Sequence, residues 1–75
     1  MDITGVSLDE ALYYIHKGYA LNVITEDESM LVYAYDKSNV AYVSGENSFT
    51  SAKTELEKLI ELKNTVILVC NIIKD

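Results

Sequence analysis

Two short polar links constrain this chain more than anything else in it. Glu26-Asp27-Glu28-Ser29 separates the strand-like runs Tyr19–Thr25 (YALNVIT) and Met30–Tyr35 (MLVYAY). Asp36-Lys37-Ser38-Asn39 separates the second run from Val40–Ser44 (VAYVS). Such links force an antiparallel meander, because parallel neighbours need crossovers of a dozen residues or more. Asp36 and Asn39 also suit side-chain-to-backbone turn bonds.

Helical signals flank the meander. Ser7-Leu8-Asp9-Glu10 has the form of a capping box, and its two carboxylates favour the positive end of a helix dipole. Leu8, Ala11, Leu12 and Ile15 repeat at the spacing of one buried helical face. His16 and Lys17 fall in the last turn and Gly18 is a left-handed stop, so the first helix is predicted over Leu8–Lys17. After Ser44, Gly45-Glu46-Asn47-Ser48 breaks the strand pattern. Thr50 or Ser51 is the expected cap of a second helix running to about Lys63. Its inner face would be Ala52, Leu56, Leu59, Ile60 and Lys63, with Leu62 at the flank and Asn64 at the left-handed stop. Thr65–Ile73 (TVILVCNII) is almost wholly apolar, which predicts a strand covered on both faces in the middle of the sheet. The expected fold class is α+β: a single domain over residues 1–75, order α-β-β-β-α-β, with an antiparallel-dominated four-stranded sheet and two helices on one face. Which strand adjoins the last one stays open.

Size and charge narrow the function. Seventy-five residues hold one domain that buries only roughly 60% of its unfolded surface, so a partner or a second copy would help it. Twelve acidic residues against six lysines give a formal charge of −6, which argues against direct binding of nucleic acid. No apolar run is long enough for a membrane span and no secretion leader is evident, so a cytoplasmic location is expected. The one cysteine rules out an internal disulfide.

Catalytic equipment is sparse. His16 reads as a dipole-favoured residue at a helix end, and Cys70 as an inert thiol in the most apolar strand. One His and one Cys do not make a usual zinc site, and the Glu26-Asp27-Glu28 spacing matches no calcium loop. The three glycines are isolated, so there is no phosphate loop. Neither an enzyme nor a cofactor is expected.

Six tyrosines say more. Strict alternation along the middle strand would put Tyr33 and Tyr35 on one face, with Tyr42 joining them from its neighbour. Either they line the core with hydroxyls reaching solvent, or they form an exposed aromatic patch rimmed by carboxylates. The second arrangement would suit a basic protein partner, with charge steering the encounter.

Two resemblances bear on these residues. GVSLDEALYYIHKG, YALNVI and MLVYAYDKSNVAYVSG, about residues 5–44, resemble the C-terminal half of a papain-like cysteine peptidase domain of the bacteriocin-processing type. Met30 or a neighbour stands where that family has its catalytic His, Ser44-Gly45 stands where it has Asp-Pro, and the half carrying the catalytic Cys is missing. The resemblance therefore implies fold and no catalytic residue. In size, acidity and element order the chain is also similar to small Cas9-inhibiting anti-CRISPR proteins of phages, which implies a stoichiometric inhibitor that presents carboxylates to a basic nucleic-acid site. The expected function is a non-enzymatic binding module for a basic protein such as a nucleic-acid-binding nuclease. Glu26, Asp27, Glu28, Asp36 and Glu46 would make the charged contacts, and Tyr33, Tyr35 and Tyr42 would anchor. The alternative is a degenerate peptidase-like half-domain with a structural or dimerising role, the latter as a homodimer.

Overall fold

The computed structural model describes residues 1–62 and 64–71. In chain order the elements are α1 (Leu8–His16), β1 (Tyr19–Ile24), β2 (Ser29–Tyr35), β3 (Asn39–Ser44), β4 (Asn47–Ala52), α2 (Lys53–Ile60) and β5 (Val66–Asn71). The chain is a small α+β domain whose five strands form one antiparallel sheet in the order β4-β3-β2-β1-β5.

Local chemistry explains the elements that the sequence announces. Ser7 Oγ accepts from the Glu10 amide at 3.3 Å and caps α1, and Gly18 (φ 101°) turns the chain into β1. In the β1–β2 link, Thr25 Oγ1 accepts from the Asp27 and Glu28 amides at 3.3 and 3.1 Å. In the β2–β3 link, Asp36 Oδ1 accepts from the Ser38 and Asn39 amides at 2.9 and 2.7 Å. Both are side-chain-closed turns of the Asx and Ser/Thr kind.

Three expectations need correction. The sheet has five strands, because residues expected to be a break and a helix cap form β4. Ser44 pairs with Asn47 across a two-residue turn, Gly45-Glu46, with Gly45 at φ 64°. Glycine first in a two-residue hairpin loop supplies the positive φ that matches strand twist. Thr50 and Ser51 therefore sit in a strand, and α2 starts at Lys53 behind Ala52, which makes no side-chain cap bond. The last strand is not in the middle of the sheet. β5 pairs with β1 alone among the strands, and its other edge meets residues 1–3, where Ile3 N donates to Ile67 O at 2.9 Å and Val69 N to Met1 O at 2.7 Å. Asn64 does take the left-handed conformation after α2 (φ 69°). The expected inner-face Lys63 and the strand residues Ile72 and Ile73 lie outside the described residues.

Register separates the two faces of the sheet. Leu21, Val23, Met30, Val32, Val40 and Ile67 are buried in one cluster with Leu8, Ala11, Leu12 and Ile15 of α1 and Leu56 of α2. α1 packs on β1 and β2, and α2 on β3 and β4. The buried Thr65 fastens the end of α2 by donating its hydroxyl to Leu59 O at 2.9 Å. The opposite face carries the other half of each alternation, apolar and polar together: Ala20, Asn22 and Ile24; Ser29, Leu31 and Tyr33; Asn39, Ala41 and Val43; Ser48, Thr50 and Ala52; and Val66, Leu68 and Cys70. No described element covers it.

Candidate functional site

Strand direction decides which turns meet. Successive turns of a meander fall at alternate ends of the sheet, roughly 20 Å apart for strands of six residues. The β1–β2 turn with Glu26, Asp27 and Glu28 and the β3–β4 turn with Glu46 therefore share one end. Asp36, in the β2–β3 turn, is at the other end and does not join them. Its carboxylate is also occupied: the Ser38 amide, and then that of Asn39, hold its pKa below the ordinary carboxylate value. Asp36 closes its turn and stands apart from Glu26, Asp27, Glu28 and Glu46.

The acidic end contains more than the sequence reading assigned to it. α1 starts there, since Thr4 Oγ1 accepts from Ile67 N at 3.0 Å just as β5 begins. That brings Asp9 and Glu10 of its first turn to the same end. α2 finishes there, and a groove between Gly5–Leu8 and the α2 terminus is lined by Glu57 and Glu61. Glu26 is placed by Asn64, whose Nδ2 donates to Glu26 Oε1 at 2.9 Å. Among the described residues, Lys58 is the lysine on this half of the molecule, whereas Lys17, Lys37 and Lys53 lie at the far end with Asp36 and Glu55. No periodicity could have revealed this grouping, because it depends on the topology that brings four separate carboxylate-bearing segments together. The carboxylates are grouped without converging: among the described residues no three His, Cys, Asp or Glu side chains are placed to hold a metal ion.

The three tyrosines do not form the expected patch. The β2–β3 register shifts between Val32 and Ala34, so β2 carries one extra residue there. Val32 lies opposite Tyr42 and Tyr35 opposite the buried Val40, which puts Tyr35 and Tyr42 on the helix-covered face and Tyr33 on the open one. Tyr35 sits under Lys53, whose Nζ is 5.0 Å from the ring centroid. Tyr42 is half-buried and stacks on Phe49 at 5.4 Å between centroids. Its phenol oxygen accepts from Ser51 Oγ at 3.3 Å. Tyr42 is thus a packing residue, Tyr35 stays 37% exposed on the covered side, and Tyr33 alone of the three faces outward from the sheet on the open side.

His16 is exposed at the end of α1 on the covered side, and Cys70 lies half-buried on the open face of β5, so the sheet stands between them. Among the described residues no helix is long and apolar enough to cross a membrane. No protein-family model, no curated protein and no solved structure matches the chain.

Proposed function

We propose that the chain is a non-enzymatic binding module that presents one end of its sheet to a basic surface of a partner protein. The observation that carries this reading is the gathering of Glu26, Asp27, Glu28 and Glu46, all exposed, with Asp9, Glu10, Glu57 and Glu61 at a single end. Grouped carboxylates over a small area raise the local potential and speed encounter with a cationic surface, at rates that fall with ionic strength. A nucleic-acid-binding site on a nuclease is a basic surface of this kind. Occupying it stoichiometrically in the cytoplasm would inhibit without chemistry, in the manner of the anti-CRISPR proteins that the chain resembles in layout. Relative to the expectation from sequence, Asp36 and the tyrosines leave the contact set, and the two helix ends enter it.

The test is association kinetics. Proteins captured from a bacterial lysate by the wild-type chain are identified, and the basic one is purified. Its on-rate is then measured against the wild type and against Glu26→Lys/Asp27→Lys/Glu28→Lys. The triple variant should associate about tenfold or more slowly at low salt and lose most of the salt dependence. An unchanged on-rate would overturn the reading.

A further inference from the structure

We propose that β4 is a self-pairing edge: two copies of this chain join β4 to β4, antiparallel about a two-fold axis, into one continuous sheet. The inference stands apart from the acidic-end reading, since it needs no other protein than a second copy.

The first support is the difference between the two edges of the sheet. β5 is closed on its outer side by residues 1–3, through Ile3 N to Ile67 O and Val69 N to Met1 O. β4 is the other edge, and among the described residues nothing pairs with its outer side. Edge strands are ordinarily guarded by a charge, a proline, a bulge or a covering segment. Asn47–Ala52 has no charge and no proline, and its register with β3 is unbroken over the whole strand. With one open edge per chain, pairing closes at two copies and builds no fibre.

The second support is the phase of the backbone. Lys53 N donates to Ser38 O, one step beyond the Asn39↔Ala52 pair, so that pair is of the non-hydrogen-bonded kind. Ala52 therefore turns its N–H and C=O away from β3, and alternation gives Ser48 and Thr50 the same direction. A two-fold axis at Thr50, perpendicular to the sheet, sets Thr50 against Thr50 of the second copy and Ser48 against its Ala52. This register engages every outward backbone group of the three residues. It also keeps the helices of both copies on the same side.

The third is the fit of the side chains, which selects a second copy as the occupant. Thr50 meets Thr50 on the open face, a favourable cross-strand pair. On the helix side, Phe49 meets Ser51 and lies diagonal to the other Phe49, within reach of an aromatic ring. Phe49 is 44% exposed and already stacks on Tyr42, so the pairing extends that stack across the junction. Glu46 precedes the strand and Lys53 follows it. Antiparallel pairing brings Glu46 of one copy beside the Lys53 end of the other, twice, whereas parallel pairing would set like against like.

Sedimentation equilibrium of the full chain tests the association. One strand pair is a small contact of the weak class, so half-dimerisation is expected at roughly 100 µM to 1 mM. A wild type still monomeric at about 1 mM overturns the proposal. Thr50→Pro removes an outward N–H that no bond within the sheet uses, and it should be monomeric with an unchanged far-ultraviolet circular dichroism spectrum. A folded Thr50→Pro that dimerises like the wild type overturns the proposal. If it fails to fold, Ser48→Pro takes its place with the same two outcomes. Tyr33→Lys, on the open face, should dimerise as the wild type does; a folded but monomeric Tyr33→Lys would place the contact on that face and overturn edge pairing. Glu46→Lys should weaken association several-fold, and Glu46→Lys/Lys53→Glu should restore it. A double variant no stronger than Glu46→Lys overturns the antiparallel alignment.

Discussion

Val32 and Tyr35 lie three residues apart on one strand and share a face of the sheet. Simple alternation would put them on opposite faces. The extra residue between them is the irregularity that divides the tyrosines, sending Tyr33 outward and Tyr35 in beneath Lys53. A cation over an aromatic face at a partly exposed site couples by about 0.5–1 kcal/mol. Tyr35→Ala and Lys53→Ala should therefore be non-additive by roughly that amount in a double-mutant cycle read by urea unfolding. Strict additivity would mean that the ring and the ammonium do not interact.

Leu56 is the residue of α2 that reaches the buried cluster fully, at 3% exposure. Leu56→Ala should cost about 2–5 kcal/mol, from lost transfer energy plus the cavity left behind. For a domain of this size that is much of its total stability. The urea midpoint should fall accordingly, and a loss under 1 kcal/mol, against the same scale, would show that α2 contributes little to holding the core.

Gly45 holds φ at 64°, and an added Cβ would meet nothing within 4 Å. Space is therefore no obstacle, and only the backbone conformation opposes substitution. Gly45→Ala should destabilise by about 1–2 kcal/mol. Gly45→Asn should cost less, because Asn tolerates this region better. Equal losses for the two would point to a side-chain contact instead.

Asp36 gives the stability curve an acid limb. Its folded-state pKa is lowered, first by the Ser38 amide and then by that of Asn39. A depressed carboxylate contributes stability that is full above the pKa of a free aspartate and is lost as pH falls through the folded value. Asp36→Ala should lower the thermal midpoint at neutral pH and flatten the decline on acidification. Asp2, lowered by the Thr4 hydroxyl and then by its amide, adds in the same direction, so Asp36→Ala should not remove the limb completely.

Features set by neighbours in sequence were legible in it. The Ser7 cap, the turns at Thr25–Glu28 and Asp36–Asn39, and the left-handed Asn64 are local hydrogen-bond or dihedral events, and each carries its own residue signature. β4 was missed because NSFTSA is short, polar and exposed, which makes it look like a loop. The signal that could have found it was the Gly45-Glu46 pair, a glycine-first hairpin turn. The register shift in MLVYAY had no marker, since no glycine or proline accompanies it. β5 was misplaced for a different reason. Val66, Leu68 and Cys70 make the strand apolar on both sides, which resembles central burial, but they belong to the uncovered face. The grouping of carboxylates was illegible in part because Asp9 and Glu61 are 52 positions apart and meet only through the path of the chain.

The joining of residues 1–3 to β5 has a consequence for biosynthesis. The hairpins from β1 to β4 link near neighbours and can close while translation is under way, whereas β5 must travel back past α2 and the whole meander. Until β5 has left the ribosome, the flank of β1 is bare and residues 1–3 lack their β5 partner. A nascent or stalled product ending before Val66 would therefore display two unprotected strand flanks, the feature on which quality-control binding and misassembly both act.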